Sequence, residues 1–253
     1  MLSNKRFIAS KKLNIAQLQE HFKDKNIFET DDIAEFYRRS EPGLKSTTIN
    51  WRVYELVQKG VLERISSGKF RLGTGKNWQP EISHKTISLY ERIKKDFPYL
   101  KICIWNTSVL NEFMIHQPGR FYQIVEVEKE ATEAIFFWLK EAKFTVAMDP
   151  SQDFIEKYVT ADKETTIVKS LVSEAPLQTI QGIYSPAIEK ILVDIFCDEI
   201  IFNAQQGSEM RTIFSEAFEK YSIFKDRLFR YASRRGKKEL LENYVNTFSN
   251  FRQ

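Results

Sequence analysis

Cysteine, histidine and glycine are scarce in this chain of 253 residues, and its apolar runs are short. The two cysteines, Cys103 and Cys197, lie in apolar stretches, which is typical of reduced core thiols rather than of a disulfide framework. Apolar runs such as residues 135–139 fall far below the ~20 residues that a membrane-spanning helix needs. The basic N-terminus carries no apolar segment of the kind that directs secretion. We therefore expect a cytoplasmic protein that does not enter a membrane.

The same scarcities argue against several kinds of catalytic or cofactor site. The nine glycines are scattered, so the sequence has neither a phosphate-binding loop nor a dinucleotide-binding fingerprint. The three histidines, His21, His84 and His116, are far apart, and none has a cysteine partner at the spacing of a metal site. The sequence therefore predicts no cofactor and no metal site, and it favours a protein that is not an enzyme.

One charged cluster keeps an enzymatic alternative open. Glu126, Glu128 and Lys129 lie at the end of a predicted strand, and acids beside a lysine resemble a metal-dependent nuclease site. In such a site an acid and a lysine two residues apart point to the same side of the strand. Here Lys129 follows Glu128 by one residue and Glu126 by three, so each acid points away from the lysine. A charged strand end is the favoured interpretation, and a nuclease is the less favoured one.

Hydrophobic residues are plentiful, whereas charge is unevenly spread along the chain. Hydrophobic residues make up 42% of the sequence and include 20 phenylalanines, which is ample for a core. The length allows two modest domains. The first 80 residues hold 15 Lys and Arg against 9 Asp and Glu, a net charge of +6, and the remaining 173 residues have a net charge of −2. This asymmetry indicates a polyanionic partner for the basic part, although a solvated basic surface has the same composition.

The first 75 residues follow the order of elements of a winged helix-turn-helix. Apolar spacing predicts three helices, and two short strands around a glycine-bearing turn predict a hairpin. The predicted helices cover 12–24, 30 to the turn at Pro42-Gly43, and 46 to Gly60; the strands cover 61–65 and 69–72. We therefore predict a winged helix-turn-helix domain over residues 1–75.

The third helix of this domain would be the recognition helix. At 100° per residue, its predicted buried stripe contains Ile49, Val53, Leu56 and Val57. Hydroxyl, amide, aromatic and arginine side chains occupy the other faces, and such groups reach phosphates and base edges in a major groove. The candidate DNA-binding residues are Lys45, Thr47, Thr48, Asn50, Trp51, Arg52, Tyr54, Lys69 and Arg71. A winged helix used only for protein contacts is the alternative, with Trp51 packed under the hairpin or against the second domain.

Beyond the loop at residues 73–80, strands and helices alternate. The sequence predicts strands over 99–105, 121–127, 144–148 and 165–171, and helices over 84–96, 108–114, 131–142, 150–158, 186–197, 206–221 and 225–247. Such alternation is typical of a sheet covered by helices. The predicted fold class is therefore α+β and multi-domain: an N-terminal winged helix-turn-helix, followed over residues 81–253 by an α/β domain with a helical C-terminal region.

The last of these helices carries a cluster of basic residues. On a continuous helix, side chains three or four residues apart share one face, so most of this cluster would form a stripe. The cluster consists of Arg227, Arg230, Arg234, Arg235 and Lys238. Arginine binds phosphate oxygens well, and the stripe is a candidate surface for RNA or for additional operator DNA. The alternative is a solvated face whose arginines pair with acids of the same domain, and Gly236 weakens the helix within it.

Two stretches of the second domain resemble a known family. They are Ser185-Pro186-Ala187-Ile188-Glu189-Lys190-Ile191-Leu192-Val193-Asp194, in which Ser185 and Pro186 predict a helix start, and Arg230-Tyr231-Ala232-Ser233-Arg234-Arg235-Gly236. Together with the N-terminal winged helix, they resemble the abortive-infection AbiE antitoxins. The hairpin is short for that family, and residues 126–133 and 173–176 have no counterpart in it with an assigned role.

The resemblance implies a DNA-binding antitoxin with two tasks. Its N-terminal domain would bind inverted repeats upstream of its own operon and repress it, in the simplest case as a dimer on the DNA. Its second domain would counteract a nucleotidyltransferase toxin encoded beside it in a phage-defence system, without forming a stable complex with that toxin. Two alternatives stay open: a winged-helix transcription factor whose second domain senses a ligand or oligomerises, and, less favoured, the nuclease.

Overall fold

The computed structural model describes residues 13–73, 75–153, 155 and 165–249, and these residues form an α+β structure. They divide into two compact units. The first unit contains the chain up to Trp78 together with Phe218–Phe224. The second unit contains Gln79–Ala217 together with Lys225–Gln253. The division after Trp78 lies in the loop where the sequence places a domain boundary, whereas the assignment of Phe218–Phe224 to the first unit has no signal in the sequence.

The first unit combines helices with a small antiparallel sheet. Its elements are α1 (Ile15–Phe22), β1 (Phe28–Glu29), α2 (Thr30–Ser40), α3 (Ser46–Gln58), β2 (Leu62–Ser66) and β3 (Lys69–Leu72). The three strands pair antiparallel in the order β1-β3-β2. Phe22 and Phe28 stack in the core with their ring centroids 4.0 Å apart, and Tyr37, Leu56 and Phe70 pack into the same cluster. One core therefore unites the helices and the sheet.

Local interactions explain how α2 begins and ends. At its start the Asp32 carboxylate accepts a hydrogen bond from the Glu29 N–H at 2.7 Å, in a capping box. This bond and the nearby ammonium of Lys25 hold the pKa of Asp32 below its ordinary value. Beyond the end of α2, Gly43 has a φ of +88°, a conformation that glycine adopts without strain. The turn before α3 therefore follows directly from the sequence.

The segment Phe218–Phe224 is joined to the rest of the first unit by hydrogen bonds to backbone carbonyls. The Ser222 N–H donates to the carbonyl of Lys76 at 2.9 Å, and its hydroxyl donates to the carbonyl of Gly60 at 3.0 Å. A Cβ on Gly73 would lie 2.2 Å from the Gly60 carbonyl oxygen, so only glycine permits this close approach. A fragment of residues 1–75 would lack the Ser222 contacts, and the predicted domain is thus shorter than the compact unit.

The second unit is built on a four-stranded sheet. Its helices are α4 (His84–Asp96), α5 (Thr132–Glu141), α6 (Ile188–Cys197), α7 (Ser208–Lys220, which ends in the first unit), α8 (Lys225–Arg234) and α9 (Lys238–Ser249). Its strands are β4 (Ile102–Asn106), β5 (Tyr122–Val127), β6 (Thr145–Met148), β7 (Thr165–Ser170), β8 (Leu177–Ile180) and β9 (Ile183–Pro186). Short 3₁₀ turns cover Thr107–Phe113, Lys129–Ala131 and Asn203–Gln205.

The two faces of this sheet differ in polarity. Its strand order is β4-β5-β7-β6, with β4 antiparallel to β5 and the other pairs parallel. One face carries Ile104, Val125 and Val168 in register and packs against side chains of α4 and α5. The opposite face carries two other rows in register: Cys103, Glu126 and Lys169, and Trp105, Ile124 and Ile167. The second face therefore contains buried charge.

The start of the C-terminal helices differs from the sequence prediction. Ser185 and Pro186 belong to β9, which pairs with β8, and α6 begins at Ile188 after the N-cap residue Ala187. The Ser185 hydroxyl is buried and has no hydrogen-bond partner among the described residues, so it does not cap the helix. Pairing in the hairpin thus outweighs the local helix-start signal.

The predicted helix over 225–247 is in fact two helices. α8 ends at Arg234, Gly236 adopts a φ of +68°, and α9 begins at Lys238. The Lys237 N–H donates to the Ala232 carbonyl, as at a helix C-terminus that ends in a left-handed glycine. The predicted helix at 150–158 lies mostly outside the described residues.

Helix length bears on the membrane prediction. The longest described helices, α3, α4 and α7, have 13 residues each. In the parts of the chain that the structure describes, no helix is long and apolar enough to cross a lipid bilayer.

Candidate functional site

An exposed polar and aromatic stripe runs along α3. Thr47, Asn50, Trp51 and Tyr54 are all exposed, with 43% of Trp51 and 58% of Tyr54 accessible to solvent. They recur at intervals of three, one and three residues, which places them on one helical face. Large aromatic side chains are costly to leave in water without a partner. This recognition stripe (Thr47, Asn50, Trp51 and Tyr54) is therefore a candidate binding surface.

Two predicted members of this surface lie elsewhere. Thr48 is half-buried, and Arg52 is only 3% exposed, whereas the sequence predicts both on the accessible flanks of the helix. Arg52 follows Ile49 by three residues and precedes Leu56 by four, so it lies in the buried stripe of α3. Its guanidinium donates to the Glu41 carboxylate at 2.9 Å. The prediction that Arg52 contacts DNA from an exposed flank is therefore corrected: it is a buried, ion-paired residue.

The predicted cations around α3 differ in how strongly they are paired. Lys45, the N-cap residue of α3, is exposed. Lys69 on β3 is also exposed, and its ammonium lies 3.8 Å from the Glu29 carboxylate. Arg71 is half-buried and pairs closely with Glu63 on β2, at 2.7 Å. Lys45 and Lys69 are thus the more accessible cations for a phosphate, and Arg71 would first have to leave its carboxylate.

The second unit contains a buried ionic network on the polar face of its sheet. Lys190 of α6 is fully buried, and its ammonium lies 2.8 and 2.6 Å from the two carboxylate oxygens of Glu126. The same ammonium donates to Asp194, one turn further along α6. All three side chains are at most 2% exposed. Lys190 therefore joins α6 to the sheet through Glu126, whereas its contact with Asp194 lies within α6.

The network continues into α8 and back to the sheet. Arg235 donates to Asp194 at 2.7 Å and to Asp198 at 2.5 Å, and Lys169 of β7 also pairs with Asp198. The Tyr231 hydroxyl donates to Asp194 at 2.9 Å. The buried ionic network thus consists of three acids and three bases: Glu126, Asp194, Asp198, Lys169, Lys190 and Arg235. Its formal charge is zero, and each member contacts a residue of opposite charge within the network.

The pKa shifts agree with a charged, closed network. Burial by itself would lower the pKa of Lys190, but the carboxylates of Asp194 and Glu126 outweigh it and raise that pKa. Burial would likewise raise the pKa of Asp194, yet the surrounding cations of Lys190, Lys169 and Arg235 hold it below its ordinary value. Both groups therefore remain ionised near neutral pH, as a structural ion pair requires.

The charged cluster considered as a nuclease site is dispersed. Glu126 is buried in the ionic network, whereas Glu128 and Lys129 are exposed beyond the end of β5. In the described residues, no group of three or more His, Cys, Asp or Glu side chains could hold a metal ion. His116 contacts a different acid: the Glu209 carboxylate lies 2.6 Å from the His116 Nδ1. Glu126, Glu128 and Lys129 therefore do not come together in one site, as the nuclease alternative requires.

The predicted basic stripe is divided and paired with acids. Arg230 and Arg234 both lie next to Glu174, which is exposed. Arg227 pairs with the fully buried Glu189 at 2.8 Å, and Lys238 lies 3.6 Å from Glu242 on α9. Arg235 belongs to the buried ionic network, so it is not a surface residue as predicted. Because the chain turns at Gly236, Lys238 does not extend the same helical face.

Sequence reasoning missed the network itself. Asp194, one of its members, is only 1% exposed, although acidic residues are seldom fully buried. A signal is nevertheless present, because Glu126, Lys190 and Asp194 each interrupt an otherwise apolar run. Charged residues inside apolar runs are seldom buried unless they are paired, and such an interruption predicts a buried partner.

Fold and site together define a two-unit α+β protein. One unit presents an exposed polar and aromatic helix face, and the other is closed around balanced buried charges. The chain belongs to the DUF6577 family, a family of unknown function, whose model matches residues 48–250. The matched range contains most of α3, the β2–β3 hairpin and nearly all of the second unit. No curated protein matches the chain.

Proposed function

We propose that the first unit is a winged helix-turn-helix that binds double-stranded DNA. In this proposal α2 and α3 form the helix-turn-helix, and the β2–β3 hairpin is the wing. The observation that carries it is the recognition stripe, which exposes a hydroxyl, an amide and two aromatic rings on one face of a 13-residue helix. A major groove about 12 Å wide admits such a helix, and these side chains reach base edges and phosphates there.

Charge supports the same assignment. The first 80 residues have a net charge of +6, and Lys45 and Lys69 are exposed at the start of α3 and on the wing. Cations in these places would bind phosphates on either side of the groove and release counterions. Base contacts from the recognition stripe would then supply sequence preference, while the lysines supply salt-sensitive affinity.

We propose further that the chain is a DNA-binding antitoxin that represses its own operon. Its partner would be a nucleotidyltransferase toxin encoded beside it. This step depends on the resemblance to the AbiE antitoxins. The two stretches that carry the resemblance lie together in the second unit, since Lys190 and Asp194 come from one, and Tyr231 and Arg235 from the other. The residues that carry the resemblance are therefore in contact with one another in this unit.

DNA binding is tested with the full chain, because residues 1–75 lack part of the first unit. Fluorescence anisotropy would measure affinity for the duplex upstream of the gene, and for a scrambled duplex, between 50 and 200 mM salt. We expect Trp51→Ala to weaken binding to the upstream duplex about tenfold, since one direct base contact is worth ~1–3 kcal/mol. Urea unfolding checks that the variant remains folded, because only 43% of Trp51 is exposed.

Tyr99→Ala is the matched control, since Tyr99 is 98% exposed and belongs to the second unit. Equal losses for the two variants, or no affinity of the wild-type chain at low salt, contradict the proposal. The antitoxin step has its own test, which is co-expression with the neighbouring nucleotidyltransferase gene. If the full chain does not restore growth, the antitoxin role is refuted. The anisotropy measurements decide DNA binding independently of that result.

A further inference from the structure

Arg52 occupies an unusual place on α3. It lies on the inner side of the helix, with 3% of its surface exposed, although the recognition stripe is on the opposite side. Its guanidinium carbon is 4.5 Å from the centre of the Tyr37 ring, within range of a cation–π interaction. The side chain therefore connects α3 to α2 rather than to solvent.

A continuous chain of polar contacts runs through Arg52. It donates to the carboxylate of Glu41, the residue that follows α2 and whose N–H bonds to the Tyr37 carbonyl. The Tyr37 hydroxyl donates in turn to the carbonyl of Leu13, ahead of α1, at 2.6 Å. Burial raises the pKa of Tyr37 to about 12, so this hydroxyl keeps its proton at neutral pH. These contacts join the end of α2 to the middle of α3, and they join α2 to the residue ahead of α1.

Stability alone does not account for an arginine here. Its Nε and Nη1 groups are buried and have no hydrogen-bond partner among the described residues. Buried donors without partners are destabilising, and an unbranched apolar side chain would fill the same slot without that cost. A planar cation held between an aromatic ring and a carboxylate, however, is directional. Both of its contacts depend on the position of α3 relative to Tyr37 and Glu41, whereas apolar packing is non-directional.

We propose that Arg52 is a positioning residue for DNA recognition, which fixes the orientation of α3 through Tyr37 and Glu41. The inference rests on the proposed DNA binding by the first unit. A small rotation of α3 would move all four members of the recognition stripe relative to base edges. Loss of Arg52 therefore weakens binding to the specific duplex, whereas non-specific binding through exposed lysines is retained.

The experiment separates positioning from direct phosphate contact. Affinity for the upstream duplex and for the scrambled duplex is measured for the full chain at several salt concentrations. The variants are Arg52→Met, Glu41→Gln and the double variant. Arg39→Met is the control, because it removes an exposed arginine that pairs with Glu35 on the same helix, α2. Urea unfolding of each variant shows that it is folded, and Glu41, which is partly exposed, gives a second test if Arg52→Met folds poorly.

We expect Arg52→Met to lower affinity for the upstream duplex about tenfold, as one lost base contact does, with an unchanged salt slope and unchanged scrambled-duplex affinity. Glu41→Gln should act in the same direction, and the double variant should be no weaker than Arg52→Met, because the two residues act through one contact. Arg39→Met should bind like the wild type.

Two results overturn the inference. A salt slope reduced by about one, with equal losses on both duplexes, means that Arg52 contacts a phosphate directly. Unchanged affinity in a folded Arg52→Met chain means that the side chain only fills space. A wild-type chain that binds neither duplex refutes the proposed DNA binding, and the positioning role falls with it.

Discussion

Replacing Lys190 with methionine should severely destabilise the second unit. The substitution keeps the approximate size of the side chain and removes the cation from between Glu126 and Asp194, both of which are at most 2% exposed. Breaking a buried ion pair by removing one partner costs ~3–5 kcal/mol, because the remaining charge has neither water nor partner. Glu126 loses its cation, whereas Asp194 keeps its contacts with Arg235 and Tyr231, so we expect a loss within that range. At ~2–4 °C per kcal/mol, the unfolding temperature should fall by about 6–20 °C.

Urea and thermal unfolding followed by circular dichroism would measure this loss. Tryptophan fluorescence reports on the second unit through Trp105, which is buried and stacks on Phe202 with ring centroids 5.9 Å apart. Lys238→Met is the matched control, because it removes an exposed lysine 3.6 Å from Glu242 on the same helix. An exposed pair of this kind contributes only ~0.3–0.5 kcal/mol.

A compensating variant sharpens the test. Lys190→Met combined with Glu126→Met removes one cation and one anion, so the remaining network of Asp194, Asp198, Lys169 and Arg235 is again balanced. Replacement of a whole buried pair by apolar residues is often neutral, and we expect the double variant to be more stable than Lys190→Met alone. A loss below ~1 kcal/mol for the single variant refutes the reasoning, since surface substitutions behave that way. A double variant whose loss equals the sum of the two single losses also refutes it.

Two further predictions concern charge. Because the folded-state pKa of Asp194 lies below its unfolded value, its contribution to stability is present above ~pH 4 and is lost as the pH falls through the folded value. Urea unfolding over a pH series should therefore show a fall in the free energy of unfolding below about pH 4, and a rise on acidification contradicts this. Arg230→Gln with Arg234→Gln should leave operator affinity and toxin neutralisation unchanged, since both arginines lie beside Glu174 at the surface. A folded double variant that loses either activity would support the polyanion surface instead.

The exposed face of α3 could be predicted from the sequence, whereas the burial of Arg52 was missed. Helical spacing alone places Thr47, Trp51 and Tyr54 opposite the apolar stripe, and all three are exposed. The same spacing also places Arg52 on the buried side, but its residue type favours solvent, and the prediction followed the type. What overrides that preference is tertiary: the Tyr37 ring and the Glu41 carboxylate come from α2 and the turn after it.

The second unit shows where sequence reasoning ends. Most strands and helices lie within a few residues of their predicted bounds, because each has its own apolar period. The pairing within the ionic network has no such local signal, since its members come from β5, β7, α6, the residue after α6 and the residue after α8. Glu126 and Lys169 become neighbours only through the parallel register of β5 and β7. Register is a long-range property, which no local period in either strand encodes.

The two basic regions of the chain therefore differ in what they can bind. In the second unit, the three bases of the buried ionic network are matched by three acids, and the surface arginines of α8 lie beside Glu174. A polyanion would have to compete with carboxylates already in contact. In the first unit, Lys45 and Lys69 are exposed, and the Lys69 ammonium lies 3.8 Å from the Glu29 carboxylate. The net charge of the first 80 residues is +6. Salt-dependent binding of a nucleic acid should consequently depend on the first unit, and on residues around α3 in particular.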